Sequence, residues 1–411
     1  MFKRMLLCTL LLSSIGMSAT FAEEPQLANS VDDFSWKYFK TLNKDENIFY
    51  SPYSIGTALN IVANGAEGQT CGEMLQVLSI DSLEDINRSY KNFHNIIEKN
   101  YNGNGLTLMD SNLILINSKY AVNGINKNYQ SIVENIYKST IRDADFIGNL
   151  EGEKQKISEW VNDKTNRFIP NYRSIATTET VMDILNVIYF KGDWNMPFKV
   201  AYTKPETFTN KDGSKSDVDM MNKSFKNEIK YHEDGKYKAI ALPYKKLNGI
   251  GIATMYLILP IKSSNLDIAD EWSSESTEYK QTFLKNLRTS PTFYGKVYVK
   301  LPKFELDIEN LIVNNLKAMG IKRAFTNDAE FFKMVNNVPL KIDNVNHRAK
   351  IKVDETGTEA AAVTEVVMVD TTSAMPEPEI IKNFYADRPF MFIIGDVESN
   401  IDLFVGVVNK M

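Results

Sequence analysis

Apolar residues recur at helical spacing through the first third of the chain and at strand spacing through most of the remainder. Residues 54–63 follow Pro52, a residue suited to a helix start, and stop before Asn64-Gly65. Residues 83–101 and 127–138 repeat the three-to-four spacing. In 152–169, Ile157, Trp160, Val161, Lys164 and Phe168 fall along one side, with Pro170-Asn171 as a stop signal. Runs of strand character follow at 113–116 and 181–189, then at 239–242, 252–259, 294–301, 349–353 and 390–395. Helices first and strands later predict an α+β chain rather than a βαβ repeat.

One segment has conflicting local preferences. Val353-Asp-Glu-Thr-Gly-Thr-Glu-Ala-Ala-Ala-Val-Thr-Glu-Val-Val-Met-Val369 begins with a glycine and three alanines, becomes β-branched from Val363, and runs to Pro376. At a period of two, Thr358, Ala360, Ala362, Thr364, Val366 and Met368 share one face. Glu359 and Glu365 lie on the other, with Ala361, Val363 and Val367. Two outcomes are open, a surface loop or an added sheet strand with one buried face. Switches are built from such contradictory stretches.

Composition narrows the class. Lys3 and Arg4 precede the apolar run 5–12, and Ala19-Thr-Phe-Ala22 supplies small residues before two glutamates, which predicts a secretion signal over residues 1–22. No later run reaches the ~20 apolar residues of a membrane span. Cleavage removes Cys8 as well, leaving Cys71 alone and no internal disulfide, so a large core must supply stability. Cys71 is expected as a small buried helix residue. The formal charge of −5 becomes −7 once Lys3 and Arg4 are gone, and the lysines are dispersed, which argues against nucleic acid. No Pro-rich or Gly/Ser-rich linker divides the rest, so residues 23–411 are expected to form one domain.

Catalytic constellations are weak. Ser54, His347 and an aspartate would supply the ingredients of a hydrolase, but no Gly-x-Ser-x-Gly is present and Ser54 sits at a helix start. His94, His232 and His347 lie far apart and outside any His-Glu-x-x-His, so no metal and no cofactor are expected.

Several motifs together carry a resemblance. Glu355-Thr-Gly-Thr-Glu-Ala-Ala-Ala362 is similar to the hinge of the reactive-centre loop of an inhibitory serpin. Asn47-Ile-Phe-Tyr-Ser-Pro-Tyr-Ser-Ile55, Gly65-Ala-Glu-Gly-Gln-Thr70, Asn186-Val-Ile-Tyr-Phe-Lys-Gly-Asp-Trp194, Leu301-Pro-Lys-Phe304, Ala386-Asp-Arg-Pro-Phe390 and Leu403-Phe-Val-Gly406 resemble further landmarks of that family in the expected order. The match spans roughly residues 30–411. It implies a serpin fold of about nine helices and three β-sheets, with a large central sheet able to accept one more strand and an exposed loop over about 355–380.

The resemblance also implies a mechanism and a set of roles. A protease would attack the loop tip and form an acyl-enzyme. Insertion of the upstream loop into the central sheet would then distort the enzyme before it deacylates, so the chain itself is not an enzyme. Glu355, Gly357, Thr358, Glu359, Ala360, Ala361 and Ala362 are the implied hinge, with Thr358 the first inward side chain, starting outside the sheet. Ser54, Asn186 and His347 are the implied cluster governing sheet opening; Trp194 and Phe198 mark the breach where insertion begins. Counting from the hinge puts the scissile bond between Thr371 and Thr372, whereas counting back from Phe384 points near Met375. Without Lys or Arg between Val363 and Ile381, an elastase-like or subtilisin-like serine protease is the expected target, with a papain-like cysteine protease as an alternative. The expected product is a secreted (or periplasmic) monomer. The alternative function is a non-inhibitory secreted carrier.

Overall fold

The computed structural model describes residues 25–101, 103, 105–358 and 379–411. These form nine α-helices, three principal sheets and one small hairpin of two-residue strands. The fold is the expected α+β architecture, with most helices in the N-terminal part.

Helix Pro52–Asn64 runs through the middle with every residue buried. Pro52 opens it and Ser51 caps it, its side chain accepting from the Ser54 backbone N–H at 3.0 Å. Helix Leu83–Asn100 turns Tyr90, Phe93 and Ile97 onto it, opened by Ser82, which accepts from the Asp85 N–H. Helix Leu150–Lys164 is shorter than its apolar spacing predicts. Asn166 and Arg167 take φ of 49° and 62°, left-handed backbone that ends the helix before Phe168. Helix Pro25–Thr41 was not foreseen, and Cys71 lies half-buried in helix Gly68–Leu78.

One six-stranded antiparallel sheet forms the aromatic core. Its strands Phe390–Asp396 and Asp402–Val408 bring Phe392 opposite Gly406, while Phe49 stacks on Phe404 at 5.4 Å. A four-stranded sheet joins Lys204–Thr209, Lys215–Lys226, Lys296–Pro302 and Ile381–Tyr385.

The central sheet orders its strands Phe304–Leu311, Asn344–Val353, Gly357–Thr358, Met182–Asp193, Leu106–Asn117 and Thr140–Ala144. Strand Asn344–Val353 pairs in parallel with Met182–Asp193, but only from Asn344 opposite Asp183 to Ala349 opposite Ile188. Beyond that the two strands part. Gly357 and Thr358 occupy the gap, antiparallel to both.

Gly406 is required by the aromatic core. A Cβ there would stand 2.2 Å from the Phe392 ring. Gly406→Ala is expected to lower the urea midpoint, at a cost of ~1–3 kcal/mol from overpacking. Adding Phe392→Leu should recover part of that loss in a double-mutant cycle.

Candidate functional site

The parted end of the central sheet is built around a tight turn. The Asp354 N–H donates to Gly357 O at 2.9 Å, and the Asp354 carboxylate accepts from the Thr356 N–H and hydroxyl at 2.9 and 2.8 Å. The turn is pinned from one side by residues 194–198. Trp194 N–H donates to Thr356 O and Phe198 N–H to Glu355 O, both at 2.8 Å, and Trp194 Nε1–H donates to Asp354 O at 3.0 Å. The indole stacks flat on Tyr244, with ring centroids 4.7 Å apart. The two implied breach residues therefore grip the backbone of the implied hinge.

Glu355 is buried. Burial works against its charge, but the Thr203 hydroxyl, 2.8 Å away, and Lys303, 3.2 Å away, outweigh it and hold the carboxyl below its usual range. Gly357 passes so close to the neighbouring strand that a Cβ would lie 2.1 Å from Gly192 O, so only glycine fits.

Thr358 departs from expectation. It does not start outside the sheet: it pairs with Val353 and Gly192, is fully buried, and shares a 2.8 Å hydrogen bond with the Tyr244 hydroxyl. The reason is local. Gly357 lets the backbones approach, Gly192 leaves room for the Tyr244 ring, and the Tyr244 hydroxyl supplies the polar partner the threonine needs. Glu359, Ala360, Ala361, Ala362, Thr371, Thr372 and Met375 lie outside the described residues, as does the expected signal segment.

Lower in the sheet, at the last turns of parallel pairing, His347 lies opposite Asn186. The Ser51 backbone N–H donates to His347 Nε2 at 3.1 Å, so the ring proton sits on Nδ1, which donates to Asn186 Oδ1 at 2.6 Å. Burial pushes the imidazole down to about 3, keeping it neutral. The Asn186 amide in turn donates to Ser54 O at 3.0 Å, to the Ser54 hydroxyl, and to Asn112 Oδ1 at 2.7 Å. Ser54, Asn186 and His347 thus converge, though His347 reaches Ser54 only through Asn186 and meets the helix at Ser51.

Two members escaped the sequence reading. Asn112 completes the amide's partners. Asp110, on the same strand, accepts from the Ser54 hydroxyl, while its Oδ2 is buried without a partner. Burial pushes this carboxyl up to about 7, against the hydrogen bonds that favour its charge. An acidic residue in the run 106–112 was the available signal, but only the fold turns it under helix Pro52–Asn64. Among the described residues no group of three His, Cys, Asp or Glu side chains could hold a metal, and no helix is long and apolar enough to cross a membrane.

The two buried groups pull stability in opposite directions with pH. Native His347 resists the proton that the unfolded chain takes up below ~6.5, so its contribution is lost as pH falls toward 3. Native Asp110 retains a proton that the unfolded chain has released above ~4, so its contribution is lost as pH rises toward 7. Asp110→Asn should therefore gain on the wild type across this window. The difference in unfolding free energy should grow from pH 4.5 to 7 and then level off, reaching at least ~1 kcal/mol, less than one pKa unit's worth. A pH-independent difference would show that Asp110 ionises freely.

This arrangement has close counterparts. A family model described as "Serpin (serine protease inhibitor)" matches residues 29–411. An uncharacterized serpin-like protein of Thermococcus kodakarensis is 32% identical over 385 residues, covering 93% of this chain and 85% of its own length. Iripin-2 of Ixodes ricinus is 28% identical, covering 95% and 94%. Among solved structures, the thermophilic serpin tengpin in its native state superposes with a TM-score of 0.81 at 28% identity, covering 95% of each chain. With a family match running from the first helix to the last strand, and the same architecture in a solved relative, this chain belongs to the serpins, a family of protease inhibitors rather than proteases.

Proposed function

We propose that this protein is a secreted, single-use inhibitor of serine endopeptidases, with the segment at about 355–380 as its bait. The observation that carries this reading is the seat of Thr358 between Val353 and Gly192. The chain leaving strand Asn344–Val353 already turns back into the sheet at the start of this segment. Continuing that register would bring Ala360 opposite Ile351 and Phe190, Ala362 opposite Ala349 and Ile188, and Thr364 opposite His347 and Asn186. The inward positions offer small side chains where the gap is narrow. A threonine hydroxyl arrives where the parting strands would give up the His347–Asn186 hydrogen bond.

In this reading the protease's serine attacks a bond between Thr371 and Met375. The upstream segment becomes its acyl group and the downstream peptide leaves with a new amine. Insertion exchanges one strand interface, residues 344–349 against 183–188, for two, and the gain in pairing and burial drives the motion. The tethered enzyme is distorted before water attacks the ester; ~1 Å of displacement can slow deacylation about 10²-fold. With no Lys or Arg between Val363 and Ile381 and small or apolar side chains around the tip, elastase-like or subtilisin-like targets are favoured, with papain-like cysteine proteases the cross-class alternative. The reading includes residues 1–22 as a secretion signal, residues 23–411 as one monomeric domain, and no cofactor.

A carrier function has one observation on its side, a cleft of about 380 Å³ between helices Pro25–Thr41 and Thr277–Thr289, lined by Asp32, Gln281 and Arg288. Cleavage distinguishes the two. An inhibitor nicked between Thr371 and Met375 should gain at least ~10 °C in thermal midpoint, since a whole strand's burial is worth several kcal/mol. An unchanged melt after verified cleavage favours the carrier.

Incubation with elastase-like and subtilisin-like proteases is expected to give a denaturation-resistant complex and a released C-terminal peptide, whose mass locates the scissile bond. Turnover to cleaved protein alone across such a panel would reject inhibition. Thr358→Arg tests the mechanism. The arginine cannot occupy the buried seat beside Tyr244 without stranding its charge, so the loop head is unseated and insertion slows. The number of inhibitor molecules consumed per enzyme trapped should rise several-fold, while cleavage at the tip continues. Wild-type stoichiometry in this variant would show that insertion through this seat does not set the outcome.

A further inference from the structure

The described chain resumes at Glu379, and Ile381–Tyr385 immediately becomes the edge strand of the four-stranded sheet, parallel to Lys296–Pro302. Val297, Val299, Leu301, Phe225 and Phe384 turn inward and are buried, so alternate positions form an open outer face. On that face Tyr202, Tyr298 and Tyr385, with Lys204, Lys300 and Glu206, line a groove of about 580 Å³. Tyr202 is 54% and Tyr298 38% exposed. Lys300 stands 5.3 Å over the Tyr385 ring and Lys296 5.7 Å over Tyr298, which fixes the aromatic edges as a platform.

The charge of this face opposes that of the molecule. The chain carries −5 overall, whereas among the described residues Lys226 and Lys296 share Glu379 and Lys300 pairs with Glu206, and Lys204 adds a further positive charge to the groove. Exposed tyrosines are a residue type that anchors protein interfaces, and the lysines around them supply the charge that steers an acidic partner.

Position identifies the occupant. The chain can place no more than about 14 Å between Met375 and Glu379, or about 28 Å between Thr371 and Glu379. A protease domain of ~200 residues has a radius of gyration of about 16 Å. An enzyme gripping the bait near Met375 therefore comes within about one radius of Glu379, and the groove adjoins both ends of the bait, through Thr203 on Glu355 beside Tyr202 and through strand Ile381–Tyr385 ending at Tyr385.

We propose that the Tyr202–Tyr298–Tyr385 groove is an accessory docking surface for the target protease, selecting enzymes with acidic surface beside the active-site cleft. The inference rests on the inhibitory reading above and adds to it a determinant of rate and choice outside the loop. Steering by a lysine-rich face accelerates encounter with an acidic partner and weakens with salt.

The test compares the rate constant for complex formation by wild type, Tyr298→Ser, Lys204→Glu and the double variant. Two bait-cleaving proteases are used, one acidic and one basic in net charge, at about 20 and 300 mM salt. With the acidic enzyme at low salt, the double variant should be at least ~10-fold slower. High salt should shrink the difference. The basic enzyme should show little loss, and the stoichiometry and the thermal gain on cleavage should stay at wild-type values. Equal rates for all variants, with complexes still forming, overturn the docking surface and leave the inhibitory reading intact. Failure of the wild type to form any complex overturns both. Loss of binding to an immobilised sulfated polysaccharide with unchanged rates assigns the groove to a polyanion and also overturns the proposal.

Discussion

The parallel pairing of residues 344–349 with 183–188 is the constraint on which the central sheet depends. Below Ala349 and Ile188 the two strands are stitched together; above them they separate, and Gly357 and Thr358 fill the space. The sheet is thus closed at one end and wedged at the other. In the proposed mechanism, how far the wedge travels is a competition between one existing strand interface and two that an inserted strand would make. The second interface favours insertion once it is under way, and the side chains at the boundary decide how readily the existing pair gives way.

Those side chains are polar and buried. His347 is neutral, with both nitrogens used, and Asn186 spends its amide on three acceptors across helix Pro52–Asn64 and strand Leu106–Asn117. An apolar seam would resist parting by its full transfer free energy. A seam of hydrogen bonds holds one geometry firmly, yet offers partners to an incoming hydroxyl. Asp110 adds a sensitivity of its own, because its carboxyl, pushed up to about 7, changes charge near neutrality directly beneath the seam.

The segment between the two described ends is anchored by the same chemistry at each. Glu355 is held by Lys303 at 3.2 Å, and Glu379 by Lys226 and Lys296 at 3.1 and 3.4 Å. One anchor lies in the central sheet, the other at the corner of the four-stranded sheet. In the inhibitory reading proposed above, the bait is thus tied at one end to each of two sheets.

Local pattern determined the broad outline. The hinge and the polar trio were located by the resemblance of whole motifs to a family, whereas helical spacing around 54–63, 83–101 and 127–138 and the β-branched runs later were enough by themselves for the α+β class. These are properties of nearest neighbours, written in period and composition. Where the pattern misled, at residues 165–169, two left-handed residues overrode a continuing apolar stripe. The rest was decided by contacts between residues far apart in sequence. Thr358 is seated in the sheet because Tyr244 and Gly192 meet it there, and Asp110 joins the polar cluster because its strand passes under a helix some fifty residues earlier. The outer groove likewise draws its tyrosines from three separate segments. No local preference encodes such meetings; burial and long-range strand pairing create them, and with them the perturbed charges and the wedge.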